Sequence, residues 1–195
     1  MTLRRALVSM LIAAVVLSFG LLAYGIRVRA SANALINSAV GIRSTADAER
    51  EIAIWRSRSG CEFLESTDSP NGDHTYDFRI ENGLLHRLRI IPPTFLGMTI
   101  DIRNAELRYV TVVMFSGSGP SAEAGVWVSG WFDLWPANKF RVDSKEKPLK
   151  AILHFSSTVP EPSRRKAFAL NANCFVRLGQ CKSAEDILPA VWQFP

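Results

Sequence analysis

Histidine and cysteine are the scarcest chemistry-bearing residues in this 195-residue chain, with three of each. Three cysteines are too few for a disulfide scaffold. No histidine lies near Cys174 and Cys181 in sequence, and the third cysteine is far away, so a metal site lacks ligands. There is no phosphate loop and no dinucleotide fingerprint, and no cofactor is expected. Gly117-Ser118-Gly119 lacks the context of a nucleophile elbow. The chain has no internal repeat and no low-complexity tract. Its ten prolines and twelve glycines are not the proportions of a disordered or collagen-like chain. Recognition motifs for nucleic acid are missing too, as is any interleaving of aromatic with basic residues, so no nucleic-acid partner is expected.

Charge is missing from one stretch altogether. Residues 6–26, from Ala6 to Ile26, are uncharged and broken only by Ser9, Ser18, Gly20 and Gly25. As a helix this run spans roughly 30 Å, the thickness of a bilayer's hydrocarbon core. A cleaved signal peptide is the alternative, with Ala30-Ser31-Ala32 as its cleavage site. Against it, the run exceeds the usual h-region of about 7–15 residues, and Arg27 and Arg29 stand before that site. No cysteine is placed to make a lipoprotein anchor. The expectation is an uncleaved single-pass transmembrane helix in the cell membrane.

Basic residues flank the run almost evenly, with Arg4 and Arg5 before it and Arg27 and Arg29 after it. A short tail with two arginines stays inside more readily than a long domain. The expected orientation is therefore N-terminus cytoplasmic and domain extracytoplasmic. The layout is a basic tail (1–5), the membrane helix (6–26), a helical stalk (27–43) and a domain (44–195). The four flanking arginines supply most of the formal net charge of +5, so the domain itself is nearly neutral.

Ser44-Thr45-Ala46-Asp47 reads as an N-cap with an acid at the third helical position, close to a capping box. The helix is expected over 45–58, with Ala48, Ile52 and Trp55 on one face, ending at Gly60. From Cys61 onward the period becomes two. Residues 66–73 read as a loop and 75–80 as a strand. Asn82-Gly83 then predicts a hairpin into a second strand over 84–90, which Pro92-Pro93 ends. Further strands are expected at 98–103, 107–115 (the most apolar, hence central), 126–134, near 140–142 and at 149–155. Turns or loops are expected near Asn104, at 117–122 and at 145–148. The fold class is α+β: the amphipathic helix packed on a largely antiparallel, meander-like sheet. A helix within 163–170 and a short one after Ser183 complete the chain.

Cys174 and Cys181 enclose Gly179, which allows a reversal; the spacing predicts a disulfide stapling the C-terminal segment in an oxidising compartment, the alternative being two free thiols. Cys61 reads as a small buried residue. His74, beside Asp73 and Asp77, is a candidate acid–base group, although a loop histidine is the plainer reading. His86 reads as an inward-facing core or interface histidine, and His154 as lying opposite the apolar face. Arg164-Arg165-Lys166, the densest basic cluster, is a solvated face or a contact for anionic headgroups or an acidic partner.

Trp127, Ser129, Trp131 and Asp133 alternate along one strand, with Trp135 just beyond. Such a stripe can stack on sugar rings or peptide side chains, which makes a glycan or a protein the expected partner beside the membrane. The competing reading is that the helix bearing Trp55 covers this face as a second core layer.

The tail, with Asn173-Cys174, Gly179-Gln180-Cys181, Ile187-Leu188-Pro189-Ala190-Val191 and Trp192, resembles a family of uncharacterised single-pass membrane proteins of acidobacteria. Their order is similar: basic N-terminus, one membrane helix, a helix with a small-residue start, strands, and a late cysteine pair before Leu-Pro and Trp. The resemblance implies location and architecture and assigns no site residues. The leading expectation is thus a membrane-anchored extracytoplasmic binding or interaction domain with no visible catalytic set. A hydrolase-like envelope enzyme using Asp73, His74 and Asp77 is the first rival. A structural subunit of a membrane assembly, showing an apolar stripe along 28–40, is the second.

Overall fold

The uncharged run and the segment after it form one unbroken helix, α1 (Thr2–Gly41), about 60 Å long at 1.5 Å per residue. The computed structural model describes residues 2–67, 73–117, 124–132, 139–143, 147–156, 158–177 and 181–194. Among these, α1 is the one helix long and apolar enough to cross a membrane. Its first half leaves large apolar side chains such as Leu11, Val16 and Phe19 outside the fold.

The second half behaves differently. Val28, Ala32, Leu35, Ile36, Ala39 and Val40 are buried and belong to the main core cluster. Their spacing is one helical stripe. The segment expected as a stalk is therefore a core helix, and the small side chains of Ala32 and Ala39 let it lie close on its neighbours. Between residues 28 and 43 the outer face carries Arg29, Asn33, Asn37 and Arg43, and Ala30 is its one exposed apolar side chain. That is no assembly stripe.

Helix α2 (Thr45–Arg56) begins as expected: Ser44 caps it, accepting from the Asp47 amide at 3.2 Å. Ala48, Ile52 and Trp55 are its buried face. The Trp55 indole N–H donates to Ser38 Oγ of α1 at 2.9 Å, joining the two helices. Gly60, with φ of +84°, takes the left-handed turn out of the helical region.

Seven strands form one sheet: β1 (Glu62–Thr67), β2 (His74–Glu81), β3 (Thr94–Arg103), β4 (Glu106–Ser116), β5 (Ala124–Trp131), β6 (Phe140–Asp143) and β7 (Lys150–Ser156). The spatial order is β1-β2-β3-β4-β5-β7-β6. The first five make an antiparallel meander as expected in kind, though β1 is not among the expected strands; β7 then inserts parallel to β5, leaving the short β6 at the edge. Asn104 and Ala105, both at positive φ, form the tight β3–β4 turn expected near Asn104. The loop expected at 66–73 begins later than read, because Ser66 and Thr67 pair with Thr75 and His74 in β1; residues 68–72, 118–122 and 145–146 of the expected loops lie outside the described residues.

The Asn82-Gly83 hairpin is not there. Asn82 is only 1% exposed, and its side chain clasps the base of an excursion. Its Nδ2 donates to Pro92 O at 2.9 Å, and its Oδ1 accepts from the Thr94 amide at 3.0 Å. Between these anchors runs helix α3 (Gly83–Arg87), so residues 84–90 are not a strand. Pro92-Pro93 leads into β3 instead of ending a strand. The alternation of Leu84, His86, Leu88 and Ile90 misled because all four are exposed, His86 included, while Leu85 and Ile91 point inward. β2 pairs directly with β3, Phe78 opposite Met98.

After the sheet come α4 (Glu161–Ala167), a 3-10 turn (Ala172–Phe175), the Ser183-capped α5 (Ala184–Ile187) and a second 3-10 turn (Val191–Gln193). Cys174 and Cys181 are disulfide-bonded, with Cα atoms 5.6 Å apart. The staple ties the tail to the sheet: Thr94 Oγ1 donates to Cys174 O, and the Cys181 amide donates to Ser116 Oγ. Gly179 lies outside the described residues. Cys61 is free and half-buried.

Candidate binding face

Strand register sorts the sheet into two faces. The row Phe78, Met98, Val112, Val128 and Leu153 is buried beneath the helices, in the same cluster as Leu35, Ile52 and Trp55. The opposite row is Asp77, Thr99, Thr111, Ser129 and His154. Trp127 and Trp131 share the face of this second row, because side chains alternate along β5. The helix bearing Trp55 therefore does not cover the tryptophans. Among the described residues no helix contributes to that face, and both tryptophans are half-buried by their neighbours on the sheet.

Aromatic groups flank the polar row on both sides. On one side, Phe95 and Phe115 have ring centroids 4.9 Å apart, and Phe115 meets Trp127 edge-on at 4.5 Å. Gly125 makes this packing possible: a Cβ there would lie 2.5 Å from the Phe115 ring. The Arg79 guanidinium sits 4.7 Å from the Phe95 ring centre, closing that end. On the other side, Tyr109 and Trp131 are 5.0 Å apart. The Trp131 indole N–H donates to His154 Nδ1 at 3.2 Å.

The polar row is internally bonded. Thr99 Oγ1 donates to Asp77 Oδ1 at 2.6 Å, and the Thr111 and Ser129 hydroxyls are 2.9 Å apart. Burial holds the His154 imidazole below its ordinary value near 6.5, with Arg141 adding to the effect and Asp143 opposing it. It is therefore neutral at pH 7, as acceptance at Nδ1 requires. Trp127 and Trp131, four residues apart on one strand, are separated by about 13 Å along it. Trp135 and Asp133 lie outside the described residues.

The candidate catalytic residues do not converge. His74 takes the helix-side parity of β2, its Nδ1 3.5 Å from Glu65 Oε1 and its ring 5.8 Å from that of Tyr76. Asp77 is on the other face with Thr99. Asp73 accepts from the Asn104 amide at 3.3 Å. Among the described residues no group of three or more His, Cys, Asp or Glu side chains is placed to hold a metal ion.

The basic cluster dissolves into separate tasks. Arg164 is 3% exposed and donates from Nη2 to Val40 O and Ile42 O, at 3.2 and 2.6 Å, capping the C-terminal end of α1. Arg165 pairs with Glu161 at 2.7 Å, and Lys166 lies over the Phe194 ring. The cap is fifteen residues beyond Ile26, the end of the uncharged run, about 22 Å along the helix.

Phe95, Tyr109, Phe115, Thr99 and Thr111 belong to the face but were not singled out in the sequence. Their signal was the odd positions of two neighbouring strands, hidden because β4 is nearly all apolar. Comparison with protein-family models, curated proteins and solved structures returned no match, so the functional reading rests on the geometry of this face.

Proposed function

We propose that the protein is a single-pass membrane-anchored binding protein whose extracytoplasmic domain takes up a glycan strand on the sheet face that no described helix covers. The observation that carries this is the aromatic-flanked polar row opposite the helix-covered face. Indole and phenol planes suit the C–H faces of sugar rings, and the hydroxyl row between them suits ring substituents. A protein partner fits less well, because interface cores are depleted in Asp and Ser, which run through the middle here.

Anchoring rests on the uncharged 6–26 run of α1. Cleavage at Ala30-Ser31-Ala32 would cut a helix whose Ala32 is fully buried, and would remove Val28 from the core. The Cys174–Cys181 disulfide supports an oxidising compartment and hence an outward-facing domain. The acidobacterial resemblance of the tail supports a bacterial envelope.

The test is titration of the full chain in detergent micelles with chito- and cello-oligosaccharides, read by tryptophan fluorescence and calorimetry. Binding is expected, and Trp127→Ala and Trp131→Ala should each weaken it about tenfold or more. Absence of binding, or binding indifferent to both substitutions, overturns the glycan reading.

A further inference from the structure

The last turns of the membrane-spanning run do not stand clear of the domain. Ser18, Leu22, Gly25, Ile26 and Arg29 follow one another along a single face of α1 and line a groove of about 710 Å³. The opposite wall is Leu85, Ile90 and Ile91 of the α3 excursion, together with Val176 beside the disulfide-stapled tail. Gly25 is what lets the walls meet: a Cβ there would come within 3.1 Å of Val176 Cγ1. The Leu84 amide donates to the Tyr24 hydroxyl at 3.3 Å, fixing the excursion against the helix.

The excursion is apolar where water would otherwise touch it. Leu84, Leu88 and Ile90 are 42%, 49% and 38% exposed, a concentration within seven residues that isolated surface leucines do not explain. Arg87 and Arg89 are exposed between and beside them. Arg89 sits at φ +57°, and the Ile90 amide returns to Leu85 O at 3.0 Å, so the turn is held in place. Apolar side chains alternating with arginines are the composition of a segment lying in the headgroup–acyl boundary.

With residues 6–26 crossing a bilayer, the groove opens into it. From Ser18 to Arg29 it covers twelve residues, eleven helical rises or about 16 Å, close to half of a hydrocarbon core of about 30 Å. Its long axis thus matches one leaflet, with apolar lining at depth and Arg29 at the mouth. No ion-pair partner of Arg29, Arg87 or Arg89 is found among the described residues.

We infer that this groove holds one acyl chain of an anionic phospholipid from the leaflet on the domain side, its phosphate met by Arg29 with Arg87 and Arg89 nearby. The inference rests on residues 6–26 crossing a bilayer, and is independent of what the open sheet face binds. The excursion is then a second membrane contact that seats the domain on the surface.

The test is photolabelling of the full chain, reconstituted in vesicles of phosphatidylcholine with phosphatidylglycerol, by a phosphatidylglycerol carrying a diazirine in one acyl chain. Labels should map both to α1 and to the Leu85, Ile90, Ile91 and Val176 wall. Arg29→Gln should lower the labelling of that wall about fivefold, the loss of one arginine at a lipid surface. The groove-filling Leu22→Trp should remove wall labelling while leaving α1 labelled. Labels confined to α1 in the unaltered protein overturn the lipid site but leave the membrane span standing. No labelling at all overturns the span, and the lipid site with it.

Discussion

Trp131 and His154 are bonded across the one parallel joint of the sheet, indole N–H to imidazole Nδ1 at 3.2 Å. This links the tautomer and charge of a histidine to the placement of an aromatic side chain on the candidate binding face.

Acidification should therefore release Trp131. Because His154 titrates below its ordinary value in the folded chain, the unfolded chain binds more protons between the two values. Stability is present above about pH 6.5 and declines as pH falls through the folded-state value. Tryptophan emission should change over that range, and the change should vanish in Trp131→Phe and in His154→Gln, whose amide oxygen accepts without titrating. An identical pH profile in all three proteins would refute the linkage.

Arg164→Met should cost about 3 kcal/mol, since it removes two charge-assisted bonds and strands the Val40 and Ile42 carbonyls. In a chain of this size that lowers the thermal midpoint by about 10 °C, measurable by circular dichroism in detergent. Arg165→Met, which removes a surface pair with Glu161, should shift it by no more than about 2 °C. Equal shifts in the two variants would mean that Arg164 is no cap.

Reduction of Cys174–Cys181 should destabilise the chain by roughly 2–3 kcal/mol on the chain-entropy view. The loss should be local first: hydrogen exchange in residues 171–191 should rise while β3 and β4 keep their protection. Thiol counting under denaturing conditions supplies a second check, with Cys61 alone labelled before reduction and three cysteines after. Three labelled thiols in material taken from intact cells would remove the support for an oxidising compartment.

Gly125→Ala puts a methyl group into the Phe115 ring and should cost about 1–3 kcal/mol. The aromatic signature in near-ultraviolet circular dichroism should change, because Phe115 can yield only by leaving Trp127. An unchanged spectrum would show that the ring has room that the structure does not give it.

The local features were readable. Ser44 and Ser183 cap helices by bonds to residues three positions on, and the Asn104 turn and the cysteine staple are short-range as well. What misled was long-range. Asn82-Gly83 looks like a hairpin, yet the same asparagine can reach across to Pro92 and Thr94, and that use gives its buried amide both a donor and an acceptor partner. Residues 28–40 read as a stalk because they continue the membrane helix without a break, and the sequence does not say that the stripe from Val28 to Val40 meets the sheet. The reading of the tryptophan face favoured the wrong side, burial under the helix bearing Trp55, for a similar reason. Alternation tells that a strand has two faces but not which one the helices choose, and β4 carries apolar side chains on both, with Thr111 its one central polar residue.

The unbroken helix from residue 2 to residue 41 has a consequence for how the protein can be handled by a cell. A receptor on a flexible tether can be shed by one cut and remain folded. Here the described chain offers no such tether after the uncharged run, because the next turns, from Val28 and Ala32 on, are already inside the core. A protease that freed the domain would have to cut the helix that holds it together. The candidate face consequently turns only as the whole rod turns, and any tilt of the rod is passed to it undiminished.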